Sequence, residues 1–292
     1  MAGNARERLK RLLESLAPSI LDAYRSANNR RLFGWRFRPL HKRTQGQLYR
    51  DGDIKVLSGP FKGLRYINGV VWGPITPKWL GSYESELNDI VEEIASRAYE
   101  TVIDVGCAEG FYAVGLAYRI PTARILAYDA DFLSRRQTRK LASLNGLEGR
   151  VGVFRYCAFS DIARHATDNT LIVCDIEGFE RSLLDPLLCP SLRDIDILVE
   201  VHEGSWSTST LELLKTRFSV SHAVKEIMAT DRQNWIRSAA DDPGLQMSIE
   251  HLLEATNEHR SNGLRWLWMR SKKSTELRPA SSSLSAVAEQ DT

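Results

Sequence analysis

The sequence predicts an α/β protein built around a parallel, doubly wound sheet. From residue 101 onward, short apolar runs alternate with longer amphipathic segments, as strands buried on both faces alternate with helices. A glycine-rich turn follows the first of these runs, and an acidic residue ends the second. Ligands bind such sheets at the carboxyl ends of the strands, so the same two features indicate where a site would form.

The predicted elements alternate along the chain. The strands are expected at Thr101–Val105, Arg124–Asp129, Val151–Cys157, Thr170–Asp175, Asp196–His202, Ser219–Met228 and Leu264–Arg270. The helices between them are expected at Gly110–Ile120, Ser134–Asn145, Glu180–Leu188 and Thr208–Arg217. A longer helix over Ser82–Arg97 precedes the first strand, because its apolar residues fall on one face.

The composition is that of a globular protein. Of the 292 residues, 43% are hydrophobic and 26% are charged, which excludes a collagen-like, coiled-coil or largely disordered chain. No stretch approaches the roughly 20 apolar residues needed to span a bilayer, and residues 1–10 lack the apolar core of a secretory signal. The four cysteines form no CxxC pair, and we expect them to be reduced thiols. We therefore expect a soluble, cytoplasmic protein without a transmembrane segment.

Four regions are expected: a basic amphipathic helical extension at 1–50, a small β-ribbon cap at 51–80, the sheet domain at 81–272 and a disordered tail at 273–292. Residues 1–50 contain twelve Lys or Arg against three acids, a local charge of +9 in a chain whose total is +2. The extension also places leucines on one helical face, at positions 9, 12, 13 and 16. We favour packing of this face on the protein body or in a homodimer; a membrane surface or nucleic acid are weaker alternatives.

The glycine-rich turn has the pattern Asp104-x-Gly106-x-x-x-Gly110 and opens a helix. Its spacing differs from the Gly-x-Gly-x-x-Gly that holds a pyrophosphate, and an acid at the strand end would repel a pyrophosphate. An acid there suits a ligand that carries an ammonium and a sulfonium. This points to S-adenosylmethionine.

The second strand ends at Asp129, 19 positions after Gly110. In a doubly wound nucleotide fold, a carboxylate at this place accepts both ribose hydroxyls. The alternative is that Asp129 caps the next helix, a role that Asp131 could equally fill.

Further motifs resemble the FkbM-type family of class I S-adenosylmethionine-dependent methyltransferases. They are Gly81-Ser-Tyr-Glu-Ser-Glu-Leu87, Ala158-Phe-Ser-Asp161, Cys174-Asp-Ile-Glu-Gly-Phe-Glu180 and Leu198-Val-Glu-Val-His-Glu203. The resemblance covers residues 81 to 205; Ala108-Glu109 and the basic extension depart from it. It implies a Rossmann-like, seven-stranded methyltransferase sheet with an N-terminal helical and β-ribbon extension.

The resemblance also implies methyl transfer to a hydroxyl of a sugar, glycan or natural product. Asp104, Gly106 and Gly110 would line the methionine end of the cofactor, and Asp129 its ribose. The remaining implied cofactor contacts are Ala158 and Phe159 at the adenine, Tyr83 and Glu84 as a cover, and Tyr112 beside it.

Three residues are candidates for the proton transfer that an alcohol acceptor requires: Asp175, Glu177 and His202. They lie at the expected ends of the fourth and fifth strands, with Glu200 on the same strand face as His202. Asp175 and Glu177 could instead only order the loop before Gly178. A catalytic Mg²⁺ is not favoured, and no metal ligands are assigned, because nothing in the spacing requires an ion.

Two broader alternatives complete the prediction. The chain has no Pro-Pro, which disfavours the nucleic-acid N-methyltransferases that carry Asn-Pro-Pro-Tyr or Asp-Pro-Pro-Tyr after the fourth strand. The runner-up to an O-methyltransferase is a non-catalytic protein of the same fold whose basic N-terminus docks a partner or a membrane surface.

Overall fold

A computed structural model describes residues 37–49, 52–69, 73–97, 99–204, 206–230, 232–240, 245, 247–260 and 263–277. Within them, seven strands form one sheet: β1 Thr101–Val105, β2 Arg124–Tyr128, β3 Val151–Phe154, β4 Thr170–Cys174, β5 Asp196–Val201, β6 His222–Met228 and β7 Arg265–Ser271. Each overlaps its predicted strand. β2 to β5 end before their predicted last residue, so that Asp129, Asp175 and His202 lie in the loops just beyond.

The sheet has the order β3-β2-β1-β4-β5-β7-β6, which is the order of Rossmann-like methyltransferase sheets. Strands β1 to β5 are parallel, as predicted. The prediction of a wholly parallel sheet is wrong at the other edge, because β7 runs antiparallel to both β5 and β6. An apolar run looks the same in either direction, and antiparallel neighbours need no crossover connection, so the sequence pattern could not reveal this reversal.

The central strands of the sheet are buried on both faces. Val102 and Val173 belong to one apolar cluster, and their chain neighbours Ile103 and Ile172 belong to another on the opposite face. Alternate residues of a strand point to opposite faces, so these two clusters are the two core layers of a doubly wound domain.

The described helices and helical turns flank the sheet. Helices lie at residues 37–48, Thr76–Leu80, Asn88–Ser96, Phe111–Arg119, Phe132–Leu144, Phe159–His165, Glu180–Leu183, Thr210–Phe218, Gln233–Ala240, Ile249–Ala255 and Lys272–Leu277, with 3₁₀ turns at Ser85–Leu87 and Pro190–Arg193. None of these described helices is both long and apolar enough to cross a membrane.

Two predicted helices need correction. The segment predicted as Ser82–Arg97 becomes α-helical only at Asn88, because Glu84 adopts a left-handed conformation with φ 48° that an α-helix does not accept. The helix predicted at Glu180–Leu188 ends at Leu183.

The predicted β-ribbon consists, in the described residues, of an isolated antiparallel bridge between Lys55 and Arg65 with backbone bonds on either side. Its apolar side chains, including Val56, Phe61 and Leu64, are buried in the same layer as Val102. This part of the extension therefore packs on the sheet domain. The predicted leucine face at residues 9–20 lies outside the described residues.

The predicted disordered tail is helical at its start. The helix Lys272–Leu277 includes the first five residues of the segment 273–292. Ser274 is buried, and its hydroxyl donates to Asp196 over 2.8 Å, which explains why the chain stays ordered here. The rest of the tail lies outside the described residues.

Candidate active site

The glycine loop joins β1 to the helix Phe111–Arg119 and is shaped by two left-handed glycines. Gly106 has φ 88°, and a Cβ there would lie 1.7 Å from the carbonyl oxygen of Asp175. Gly110 has φ 97°, and its Cβ would lie 2.9 Å from a methyl carbon of Thr138. Only glycine fits both the backbone angle and the space at these two positions. The predicted loop therefore forms, and its first glycine touches the end of β4.

Asp104 lies beneath this loop and is 3% exposed. Burial, together with the charge of Asp129, raises the pKa of Asp104 to about 8, although the backbone amide of Ala113 acts in the opposite direction. Its Oδ2 is shielded from solvent and has no hydrogen-bond partner among the described residues. An acid in this condition gains from any cation or hydrogen-bond donor that enters the loop.

Asp129 follows β2 and closes the loop from the other side. Its Oδ2 accepts a hydrogen bond from the Ala108 amide over 2.9 Å, and its Oδ1 accepts from the Asp131 amide over 2.7 Å. Burial raises the pKa of Asp129 to about 6. The helix cap is Asp131, whose carboxylate accepts from the amides of Leu133 and Ser134. The capping alternative for Asp129 is therefore wrong.

Ala158 and Phe159 begin the short helix that follows β3. The Ala158 amide donates to Asp161 over 2.9 Å, and Phe159 packs at the margin of the second core layer. These two residues lie after the neighbouring strand of the sheet, beyond Asp129 in the order β3-β2-β1. This is compatible with their predicted contact with an adenine, which remains a prediction.

Tyr83, Glu84 and Tyr112 come together on one side of the loop. The Tyr112 hydroxyl donates to the Glu84 carboxylate, and the Tyr83 ring meets Phe111 edge-on with ring centroids 5.0 Å apart. Glu84 is 1% exposed, and burial raises its pKa. The predicted cover is therefore a packed group tied to the helix that follows the glycine loop.

Asp175, Glu177 and His202 lie together, as predicted, just beyond β4 and β5. His202 Nε2 is 3.7 Å from Asp175 Oδ1 and 3.7 Å from Glu177 Oε2. Burial lowers the pKa of His202, but its hydrogen bond to Glu180 and the nearby carboxylates outweigh this and raise it. Burial and repulsion from Glu200 raise the pKa of Asp175 well above its usual range.

The loop after β4 is ordered by a different acid from the two that the sequence suggested. Glu180 is fully buried, and its Oε1 accepts a hydrogen bond from the Ile176 amide over 3.0 Å. The same oxygen lies 2.8 Å from His202 Nδ1. Asp175 Oδ1 is shielded from solvent and has no hydrogen-bond partner in the described part of the chain.

Sequence reasoning missed Arg260, which reaches the site from the loop before β7. Its guanidinium faces four carboxylates: it bonds Glu200, lies 2.9 Å from Glu86 and 3.4 Å from Glu84, and is 3.6 Å from Glu258. Burial raises the pKa of Glu258 to about 8. No sequence pattern relates a residue near 260 to residues near 84 and 200, so folding alone could reveal this cluster.

Glu109 in the glycine loop, one of the residues that depart from the family resemblance, has two defined partners. It bonds the Lys78 ammonium and accepts from the Tyr66 hydroxyl over 3.0 Å, with Lys78 and Glu109 both nearly inaccessible to solvent. Both partners come from the segment before the sheet domain. Glu109 therefore fastens the glycine loop to the N-terminal cap.

Comparisons with known proteins identify no family for this chain. No family model matches the chain, and no curated protein sequence matches it either. The O-methyltransferase from Bacillus cereus in complex with SAH is 10% identical, with 61% of this chain and 77% of that chain covered and a TM-score of 0.41. The O-methyltransferase TomG from Streptomyces achromogenes, involved in tomaymycin synthesis and in complex with SAM, is 9% identical, with 61% and 76% covered and a TM-score of 0.40.

A third solved structure, MccD protein, is 12% identical, with 65% of this chain and 97% of that chain covered and a TM-score of 0.41. At such identities and TM-scores the likeness carries no argument about this chain. The activity has to be argued from the residues of this chain.

Proposed function

We propose that this chain binds S-adenosylmethionine and transfers its methyl group to a hydroxyl of a sugar, glycan or natural-product small molecule. One observation carries the proposal. The buried Asp104 and the partly buried Asp129 flank a glycine loop at the carboxyl ends of neighbouring parallel strands, in a sheet with the methyltransferase strand order. Assignment to the FkbM-type family and a cytoplasmic location belong to the same proposal.

The residues present fit this cofactor. The unpartnered Oδ2 of Asp104 needs a cationic or donor group, and an ammonium would supply both. Gly106 and Gly110 give the loop its shape, because their left-handed backbone angles and close packing against Asp175 and Thr138 admit no side chain. When bound, the cofactor would supply a methyl group on a positively charged sulfur. A cleft lined by carboxylates favours such a cation over an anionic nucleotide.

Asp129 would hold the ribose. Each of its oxygens accepts one backbone hydrogen bond and retains a lone pair, so the carboxylate is oriented yet can accept two hydroxyls. Tyr83, Glu84 and Tyr112 would cover the ligand from the side of the preceding segment.

The hydroxyl acceptor would lie by His202, Asp175 and Glu177. An alcohol must lose its proton as its oxygen is methylated, and this cluster offers an imidazole whose Nε2 lies 3.7 Å from each of two carboxylates. Holding the acceptor oxygen in line with the sulfonium methyl would supply the rest of the rate acceleration, since orientation alone lowers such barriers by several kcal/mol.

Calorimetry with S-adenosylhomocysteine tests the cofactor assignment. We expect a dissociation constant in the micromolar range, which corresponds to a binding free energy of about −8 kcal/mol. Asp129→Ala should weaken binding by about 1.5 to 3 kcal/mol, because it removes a charged acceptor. The matched control is Asp131→Ala, which removes the helix cap two residues away: it should cost about 1 kcal/mol of stability and leave binding unchanged.

Equal effects of the two substitutions on binding would contradict the ribose role of Asp129, and binding of NAD in place of S-adenosylhomocysteine would overturn the cofactor. Turnover is tested by incubating the full chain with methyl-labelled cofactor and fractionated cell extract. Label in a small molecule or glycan supports the proposal. Cofactor binding without any labelled product supports the non-catalytic alternative.

A further inference from the structure

The imidazole of His202 faces three carboxylates at one distance. His202 Nε2 lies 3.7 Å from Asp175 Oδ1, from Glu177 Oε2 and from Glu200 Oε2. A protonated imidazole paired with one of these acids would approach it to about 2.7 to 3.2 Å. None of the three is that close, so the arrangement is not that of a direct hydrogen bond at Nε2.

The spacing instead matches atoms that share one ion. Ligands held about 2.1 to 2.2 Å from a divalent cation lie roughly 3.0 to 3.7 Å apart, depending on the coordination angle. One atom each of Asp175, Glu200 and His202 lie within 4.8 Å of one another. A small contraction around an ion would bring these atoms to coordination distance.

The other side of the ring is fixed by Glu180. This fully buried carboxylate lies 2.8 Å from His202 Nδ1 and is itself held by the Ile176 amide. A histidine that donates its Nδ1 proton to such a carboxylate presents the lone pair of Nε2 outward. This is how proteins orient histidines that ligate metals.

One oxygen of the cluster lacks a hydrogen-bond partner among the described residues, and a second faces the imidazole at 3.7 Å. Asp175 Oδ1 is shielded from solvent and has no hydrogen-bond partner among the described residues. Glu200 is 5% exposed and bonds Arg260 through Oε1, which leaves Oε2 facing His202. Arg260 also contacts Glu84, so its single charge does not neutralise the cluster at His202.

We propose that Asp175, Glu200 and His202 bind a divalent cation, with the exposed Glu177 as a fourth ligand that moves in. One imidazole with two or three carboxylates suits Mn²⁺ better than Ca²⁺, because Ca²⁺ takes oxygen ligands. The cation would bind the acceptor hydroxyl and ease loss of its proton to the Glu177 oxygen that does not ligate the ion. This catalytic role, but not the binding of the ion, rests on the proposed function.

The direct test is a Mn²⁺ titration of the full chain after EDTA treatment and dialysis, followed by electron paramagnetic resonance of the free ion. We expect one saturable site per chain. His202→Ala, Asp175→Asn and Glu200→Gln should each weaken it at least tenfold. The matched control is Glu86→Gln, which removes an acid on the far side of Arg260 and should change the affinity less than threefold.

Thermal unfolding of each variant identifies any that fails to fold, and the three ligand substitutions lie on two different strand ends, so one failure leaves the others informative. The proposal is overturned if the wild type shows no saturable Mn²⁺ site, or if the ligand variants bind as tightly as Glu86→Gln. S-adenosylhomocysteine binding is measured on the same metal-free samples. Its loss would overturn the cofactor assignment without affecting the result for the ion.

Discussion

The two halves of the candidate site are built in different ways. At the ends of β1 and β2, the backbone provides most of the structure: two left-handed glycines and the amides of Ala108 and Asp131 fix the loop and orient Asp129. At the ends of β4 and β5, side chains from distant parts of the chain provide it, as carboxylates gather around Arg260 and His202. The first half depends on steric fit and the second on balance of charge.

The halves touch at Gly106, so substitution there should have the largest effect. Gly106→Ala places a Cβ 1.7 Å from the Asp175 carbonyl at φ 88°, and we expect a loss of about 4 kcal/mol or more in stability, because neither backbone can yield. Urea unfolding measures this. Gly146→Ala is the control: its φ is 67° with nothing within 4 Å of the added carbon, and it should cost only about 1 kcal/mol. Similar losses for both would show that the halves are not in tight contact.

The second half should lose stability when the positive charge of Arg260 is removed. Arg260→Met leaves four carboxylates without their shared partner, and we expect about 3 to 5 kcal/mol of destabilisation at pH 7.5. The control is Arg43→Met, which breaks a pair with Glu254 whose side chains are about half exposed and should cost under about 1 kcal/mol. Chemical denaturation compares the two. If Arg260→Met costs no more than its control, charge balance does not hold this half together.

The first half should show a smaller, pH-dependent effect at Asp104. Its pKa is about 8 in the folded protein and about 4 when unfolded, so the folded state holds the extra proton and the protein loses stability as pH rises from 4 to 8. Asp104→Asn removes this loss. The variant should be more stable than the wild type by about 1 to 3 kcal/mol at pH 8.5, and by much less at pH 5.

The same substitution should weaken S-adenosylhomocysteine binding, because the asparagine cannot attract an ammonium. Opposite signs for stability and binding would mark Asp104 as a residue kept for its ligand. A stability difference that is the same at pH 5 and pH 8.5 would contradict the raised pKa.

Local patterns in the sequence determined most of the first half. The run Val102–Val105, the glycine spacing and the acid after β2 lie within 30 residues, and short-range sterics make such a segment form the same loop wherever a parallel strand precedes a helix. Strands β1, β2, β4 and β5 were predictable because burial on both faces requires continuous apolar runs. The order of residues also indicated that Asp175 and His202 end adjacent strands.

Only the tertiary structure decided the direction of β7, the partners of Glu109, the interruption of the helix at Glu84 and the assembly around Arg260. Each depends on contacts between residues far apart in the chain, such as the pairing of residue 260 with 84 and 200, and no local propensity encodes them. The charge environment of His202 has the same origin. Burial and the convergence of separate segments set its pKa and its orientation, and both arise only when the sheet and its loops are packed.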